Sequence, residues 1–161
     1  TAAEALNKLG VYQTNTAYFD TILVKADAQK VKAAAEKNEV NFFYVDADTI
    51  SISFNETTSI ADINQIIAIF AEALGKEIFE GKGNCVACHQ VDQKVIGPSI
   101  QEIAKIYKDK NGNMVNFLKG ESEAIVDPSQ FAVMQANLEI TKTFTDEELK
   151  AVEAFINSHL K

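Results

Sequence analysis

The chain has 161 residues, of which 47% are hydrophobic and 24% are charged, a composition typical of folded globular domains. Its net charge is -8 and all 15 basic residues are lysines, so it lacks both the basic footprint of a nucleic-acid-binding protein and an arginine clamp for phosphate. No apolar run approaches the roughly 20 residues that a transmembrane helix needs. We therefore expect no nucleic-acid partner and no membrane span. The acidic surface favours a partner with a basic docking face, although net charge also keeps proteins in solution.

The length suits one ordinary domain or two small ones. The predicted elements favour two units, residues 1–75 and 76–161, joined near Gly75 and Lys76. The first unit is predicted to be α+β and the second all-helical. The chain begins at Thr1, with no Met and no signal-peptide pattern, so we expect a processed product, an excised piece or a recombinant version.

The first unit shows the order helix, strand, helix, strand, strand, helix. The predicted ranges are 1–9, 17–24, 27–38, 40–45, 49–54 and a long helix that begins at Ser59. Residues 17–24 are rich in aromatic and β-branched side chains, as strands are. Asp27 is a suitable N-cap, and Ser59 with Asp62 has the pattern of a capping box. The short turn at 46–48 predicts a hairpin between the last two strands.

The second unit alternates short helices with loops. Helices are predicted at 76–81, 99–108, 113–120 and 145–160, and loops at 83–98 and 121–144. Asn113 is a suitable N-cap for the third helix. Thr145 with Glu148 forms a capping-box pattern at the start of the last one.

The loop at 83–98 contains both cysteines of the chain, in the motif Cys85-Val86-Ala87-Cys88-His89. The pattern C-x-x-C-H is the attachment sequence of haem c. Two thiols three residues apart in a tight turn can add to the two vinyl groups on one edge of a porphyrin. The next residue is then carried beneath the ring, where its imidazole reaches the iron. The motif therefore predicts one covalently bound haem c, with Cys85 and Cys88 as anchors and His89 as an iron ligand.

Two other interpretations of the cysteine pair remain open at this point. A C-x-x-C pair is also a thiol redox motif, but that use is typical of a thioredoxin-like βαβ context. The pair could also belong to a zinc site, which needs a further ligand nearby. The only other histidine of the chain is His159.

The surroundings of the motif carry a family resemblance. Residues 75–100 (GKEIFEGKGNCVACHQVDQKVIGPSI) contain a helical pattern, the C-x-x-C-H and Gly97-Pro98, and residues 144–161 (FTDEELKAVEAFINSHLK) form a final helical pattern. This arrangement resembles class I cytochromes c of the bacterial cytochrome c-551 type over about residues 76–161. The resemblance implies an all-α cytochrome c domain that transfers electrons between a reductase and an oxidase. It also implies that the Pro98 carbonyl accepts a hydrogen bond from Nδ1 of His89.

The same resemblance implies a methionine as the second axial ligand, in the loop before the last helix. That role falls to Met134; Met114, His159 and an open sixth position are the alternatives. Ligation by histidine and methionine raises the reduction potential. We expect His159, at a helix C-terminus, to be solvated. Residues expected to wall the haem or form core are Ile96, Ile103, Tyr107, Leu118, Phe131, Phe144 and Phe155.

Residues 4–74 resemble a different family, the P-protein of the glycine cleavage system, which is glycine dehydrogenase (decarboxylating). The resemblance is carried by residues 15–21 (NTAYFDT), Val45-Asp46, 49–53 (TISIS) and 55–58 (NETT). It implies the fold of the smaller α/β part of a pyridoxal-phosphate enzyme. The cofactor lysine of that family lies in the large domain, so we expect no catalysis and no pyridoxal phosphate here.

Three functional hypotheses follow. The leading one is an electron carrier, not an enzyme, located in the periplasm or otherwise outside the cytoplasm, where haem c is attached. The second is a fragment of glycine dehydrogenase, inactive alone. The third is a haem sensor or peroxidase with an open sixth position. Because P-proteins work inside the cell or organelle, the pairing of the two units indicates a chimera, a gene-fusion artefact or a rearranged product, with a natural fusion as the alternative.

Overall fold

The computed structural model describes residues 1–160 and divides the chain into two units, Thr1–Ala73 and Leu74–Lys161. The first unit holds a three-stranded sheet with helices, and the second is helical. The predicted fold class, α+β followed by all-α, is therefore confirmed. Within residues 1–160, no helix combines the length and the apolar character that crossing a membrane requires.

The first unit follows the predicted element order. Its elements are α1 (Ala2–Lys8), β1 (Thr21–Lys25), α2 (Ala28–Lys37), β2 (Phe43–Asp46), β3 (Thr49–Ser53) and the start of α3 (Ile60–Glu80). The sheet is antiparallel in the order β1-β3-β2, so the predicted hairpin is present. Ile22 pairs with Ile52 and Val24 with Ile50. These four alternating residues are buried, which places the core of the unit on one face of the sheet.

The predicted strand at 17–24 begins too early. The Asn15 side chain donates a hydrogen bond to the Thr21 carbonyl (3.0 Å) and accepts one from the Leu23 amide (2.8 Å). These bonds close residues 15–20 into a turn, so β1 starts only at Thr21.

The second unit continues with α4 (Ile100–Asp109), α5 (Met114–Leu118), α6 (Phe131–Thr141) and α7 (Asp146–Asn157), and with short 3-10 turns at Cys85–Ala87 and Pro128–Gln130. Thr145 and Glu148 form the predicted capping box, and Asn113 caps α5. One apolar cluster joins these helices. Its buried members include Phe79, Ile100, Tyr107, Met114, Leu118, Leu149, Val152, Phe155 and Ile156.

The predicted separate helix at 76–81 is wrong, because α3 runs without interruption through Gly75 to Glu80. Gly75 is buried where α3 passes close to α7. A Cβ atom at Gly75 would overlap the carbonyl oxygen of Ala151 and would lie 2.8 Å from the Cβ of Phe155. The glycine therefore permits a close helix–helix approach and does not mark a helix end.

The predicted loop at 121–144 is also wrong in its second half, which forms α6. Pro128 occupies the first turn of the 3-10 segment that leads into this helix, a position that suits proline. Leu138 is buried in α6 while Val133 and Ile140 are exposed. Without a continuous apolar stripe, the segment gave no helical pattern. Met134 consequently lies on a helix and not in a loop.

Replacing Gly75 with alanine tests the α3–α7 contact. In an open helix this change stabilises by about 1 kcal/mol, because alanine is the better helix former. Here we expect the opposite, a loss of about 1–3 kcal/mol in the free energy of unfolding of the second unit, because the added methyl group must push α7 away. Denaturant titration of Gly75→Ala measures it. Lys76→Ala, at the next and exposed position, should change stability by less than about 0.5 kcal/mol; a stabilised Gly75→Ala would contradict the contact.

Candidate haem site

The C-x-x-C-H motif forms one tight turn. Asn84 enters it with a left-handed backbone (φ 46°), a conformation that asparagine tolerates better than most residues. The carbonyl of Cys85 then accepts hydrogen bonds from the amides of Cys88 (3.1 Å) and His89 (2.9 Å). This winding brings the three side chains of Cys85, Cys88 and His89 to the wall of the same cavity.

The imidazole of His89 is held by a hydrogen bond at its Nδ1 atom. Its Nδ1 lies 2.8 Å from the carbonyl oxygen of Pro98, the hydrogen bond that the cytochrome c resemblance implied. A carbonyl can only accept, so Nδ1 carries the proton and Nε2 keeps the lone pair that binds a metal.

Gly97 brings the backbone close to the same ring. Its amide donates to the Cys88 carbonyl (2.9 Å), and a Cβ atom at Gly97 would lie 2.7 Å from Nδ1 of His89. A side chain at this position would therefore collide with the imidazole. The glycine is what allows the loop to return beneath the ring.

The cavity beside this turn is partly open, and the empty space in it, counted out into its mouth, is about 940 Å³. Its walls are mostly apolar and come from α3, α4, α5, α6, α7 and the segment 124–127. Besides the motif, the lining residues are Phe79, Ile96, Gly97, Pro98, Ile103, Tyr107, Met114, Phe117, Leu118, Ala124, Ile125, Val126, Asp127, Gln130, Phe131, Val133, Met134, Asn137, Val152 and Ile156. A flat apolar macrocycle suits such a lining.

All seven residues expected to wall the haem or form core do one or the other. Ile96, Ile103, Tyr107, Leu118 and Phe131 line the cavity, whereas Phe144 and Phe155 belong to the apolar cluster behind it. Sequence reasoning missed several wall residues, among them Phe79, Phe117, Ile125, Val126 and Val152. Phe79 and Phe117 stand on predicted helices, so their aromatic side chains could have identified them as buried. Ile125 and Val126 stand in irregular chain, where no periodicity assigns a face.

Both methionines contact the cavity, but they differ in exposure. Met114 is only 2% exposed and is packed into the apolar cluster. Met134 is half-buried and packs against the edge of that cluster.

His159 does not line the cavity. Its Nδ1 donates to the carbonyl of Phe155 (2.9 Å), and its ring meets the Phe155 ring edge-on with centroids 4.8 Å apart. The expectation of a solvated side chain is therefore wrong, because the ring is half-buried against a neighbouring turn of its own helix end. These contacts hold His159 away from the site that the other candidates share.

The surroundings of the cysteines do not favour thiol chemistry or zinc. Burial raises the pKa of the Cys85 thiol to about 11, and its Sγ donates weakly to the Gly83 carbonyl (3.5 Å). A redox-active thiol is instead a thiolate stabilised by nearby positive charge. Within residues 1–160, no group of three or more histidine, cysteine, aspartate or glutamate side chains is arranged to hold a metal ion.

Comparison with known proteins divides the chain within a few residues of the boundary between the two structural units. The family model of cytochrome c matches residues 72–160, and that of the glycine cleavage system P-protein matches residues 1–70. Glycine dehydrogenase (decarboxylating) of Flavobacterium johnsoniae is 86% identical over 77 residues, and that of Christiangramia forsetii is 57% identical over 74 residues. The mitochondrial enzyme of Solanum tuberosum is 39% identical over 80 residues.

The short extent of these matches limits what can be concluded from them. The three glycine dehydrogenases cover 46–48% of this chain, and the matched stretch is 8% of each relative. The chain thus matches only a small part of these enzymes' length. Both predicted resemblances are confirmed, and the cytochrome c match extends over more than half of the chain and includes the C-x-x-C-H turn. The chain therefore belongs to the cytochrome c family, whose cofactor is covalently attached haem c.

Proposed function

We propose that this chain is a one-electron carrier in which Cys85 and Cys88 anchor a single haem c, His89 binds the iron on one side and Met134 on the other. The observation that carries the proposal is the His89 imidazole, hydrogen-bonded to Pro98 at the wall of an apolar cavity beside both cysteines. Haem c supplies a porphyrin-bound iron that alternates between two oxidation states. Residues 76–161 form the monohaem domain in this proposal.

His89 supports the metal through orientation and basicity. The Pro98 carbonyl holds the Nδ1 proton, which fixes the tautomer and makes Nε2 a stronger donor. Since the ring also rests against Gly97, it has little freedom to rotate. The His89 imidazole therefore keeps one orientation when the charge of the iron changes.

The difference in exposure favours Met134 over Met114 as the second ligand. Met114 is only 2% exposed, so nearly all of its surface is in contact with the core. Met134 retains accessible surface at the cavity wall. A thioether is a soft, neutral ligand that favours the reduced state. With His89 and Met134 both holding the iron, no position would be left for a substrate, which would suit electron transfer better than sensing or peroxidase chemistry.

The surface near the motif determines which proteins can exchange electrons with the haem. Ile96 lines the cavity and is 58% exposed, and Val86 within the motif is 41% exposed. Exposed apolar residues on and near the cavity lining let a partner approach closely, while the apolar walls exclude water. The partners in this proposal are a reductase and an oxidase, docking by a basic face on an acidic protein of net charge -8.

The location and the first unit complete the proposal. Attachment of haem c on the outer side of a membrane places the protein in the periplasm or another extracytoplasmic space. Residues 1–75 form a folded appendage without catalysis. A second candidate function, a fragment of glycine dehydrogenase, is favoured by the 86% identity of this part to the Flavobacterium johnsoniae enzyme. The matched stretch is only 8% of that enzyme, so we assign the fragment no activity of its own.

The first test is whether the protein holds its haem covalently. We expect sharp absorption bands in the dithionite-reduced protein, and we expect the colour to stay with the polypeptide through acid-acetone extraction because thioether bonds do not dissociate. Cys85→Ser with Cys88→Ser, expressed with the same maturation system, is the matched control and should lose colour on extraction. A wild-type protein that releases its haem, or never acquires one, would overturn the proposal.

Exchange of the methionines tests the second ligand. Met134→Ala should lower the reduction potential and let carbon monoxide bind the reduced iron rapidly, because removal of the thioether opens one position. Met114→Ala removes a methionine from the same cavity but should mainly cost stability, about 2–5 kcal/mol, since it empties a packed position. Carbon monoxide titration and redox titration measure both variants. The reverse pattern would transfer the ligand role to Met114.

Replacement of Gly97 tests the support beneath His89. In Gly97→Ala the new methyl group would meet the imidazole, so we expect the ring to tilt and its bond to the iron to weaken, while both thioether bonds remain. The expected sign is a high-spin contribution to the spectrum with unchanged haem content. Val95→Ala, in the same loop at a 48% exposed position, is the control. An unchanged Gly97→Ala spectrum would show that the ring is not constrained there.

A further inference from the structure

An ion pair joins the two stretches of irregular chain that border the cavity. Nζ of Lys94 lies 3.1 Å from Oδ2 of Asp127. Lys94 belongs to the loop between the C-x-x-C-H and Pro98, and Asp127 belongs to the segment that precedes α6. Asp127 itself lines the cavity. We call this pair the Lys94–Asp127 clasp.

The lysine end of the clasp is coupled to the histidine. Lys94 pairs with His89 in an isolated antiparallel bridge, so its backbone runs beside the ligand residue. The next turn is closed by the amide of Val95, which donates to the Gly97 carbonyl (3.3 Å). The clasp therefore starts from the part of the loop that holds the imidazole.

The aspartate end is coupled to Met134. The Ser129 hydroxyl donates to Oδ1 of Asp127 (2.6 Å), and the Gln130 amide donates to its carbonyl (3.2 Å). These bonds shape the 3-10 turn at Pro128–Gln130, from which α6 and Met134 follow. The hydrogen bond from Ser129 and the ion pair with Lys94 hold the pKa of Asp127 below its usual value, so the carboxylate is charged at neutral pH.

We propose that the Lys94–Asp127 clasp is a positioning device that keeps Met134 on the iron by tying the segment before α6 to the loop that holds His89. The inference rests on the proposed axial ligation. A methionine ligand leaves the iron when its segment moves outward, and the clasp opposes that movement. Lys110 adds a second tie, since its Nζ donates to the Ile125 carbonyl (2.9 Å).

The size of the effect follows from exposure. The Lys94 side chain is 57% exposed and that of Asp127 22%, so solvent and salt screen the pair. Loss of such a pair should favour the methionine-free state about two- to fivefold. An external ligand that competes with Met134 reports this change directly, because its affinity rises by the same factor.

Imidazole binding to the oxidised holoprotein is the measurement. Asp127→Asn keeps an oxygen that can accept from Ser129 but removes the charge, and Lys94→Gln removes the other partner. In both variants we expect imidazole to bind about two- to fivefold more tightly than in wild type, with a lower reduction potential. Lys94→Arg, which keeps the positive charge, should bind imidazole with the wild-type affinity. The control is Lys142→Gln, which breaks an exposed ion pair with Glu139 at the end of α6, outside the cavity lining.

Salt gives an independent readout on the unmutated protein. As ionic strength rises from about 0.01 to 1 M, imidazole affinity of the wild type should approach that of Asp127→Asn, because the pair is screened. Wild-type affinity in Asp127→Asn and Lys94→Gln, or an equal rise in Lys142→Gln, overturns the clasp while leaving the axial ligands in place. A wild-type protein without a methionine-ligated haem overturns the proposed ligation as well, and absorption spectra taken before any titration distinguish the two failures.

Discussion

The hydrogen bond from His89 to the Pro98 carbonyl is the constraint on which the rest of the site depends. It requires the chain to turn back within nine residues of the imidazole, and this return needs a residue without a side chain at Gly97. The same return ends at Ser99, which caps α4. One polar contact therefore sets the tautomer of the ligand, the course of the loop and the start of the helix whose Ile103 and Tyr107 form a wall of the cavity.

The wall formed by α3 depends on a contact of another kind, the close packing of two helices. Gly75 lets α3 approach α7 so closely that a methyl group would overlap the Ala151 backbone. Phe79, one turn further along α3, stacks at a tilt against Phe155 with ring centroids 5.3 Å apart. Since the C-x-x-C-H follows directly after α3, this crossing determines where the cysteines begin. Close backbone packing and aromatic contact thus anchor the covalent attachment point from outside the loop.

What could be predicted from the sequence is local, and what could not depends on tertiary contact. The C-x-x-C-H, the Asp27 and Thr145 caps and the hairpin turn are read from residues within a few positions of one another. Gly75 resembled a helix end because its partner, Ala151, is distant in sequence. The helix that carries Met134 was missed because its apolar residues do not share one face, and the His159 contact with Phe155 could not be distinguished from a solvated helix end.

The two units of the chain carry unequal weight for function, and the physical reason is completeness. The second unit has its own apolar cluster, a cavity and every side chain that the proposed ligation uses, so its chemistry does not require residues 1–73. The first unit matches 8% of the enzyme that it resembles and exposes large apolar side chains, among them Phe19 at 98% and Phe43 at 72%. The electron transfer that we propose therefore draws only on residues of the second unit.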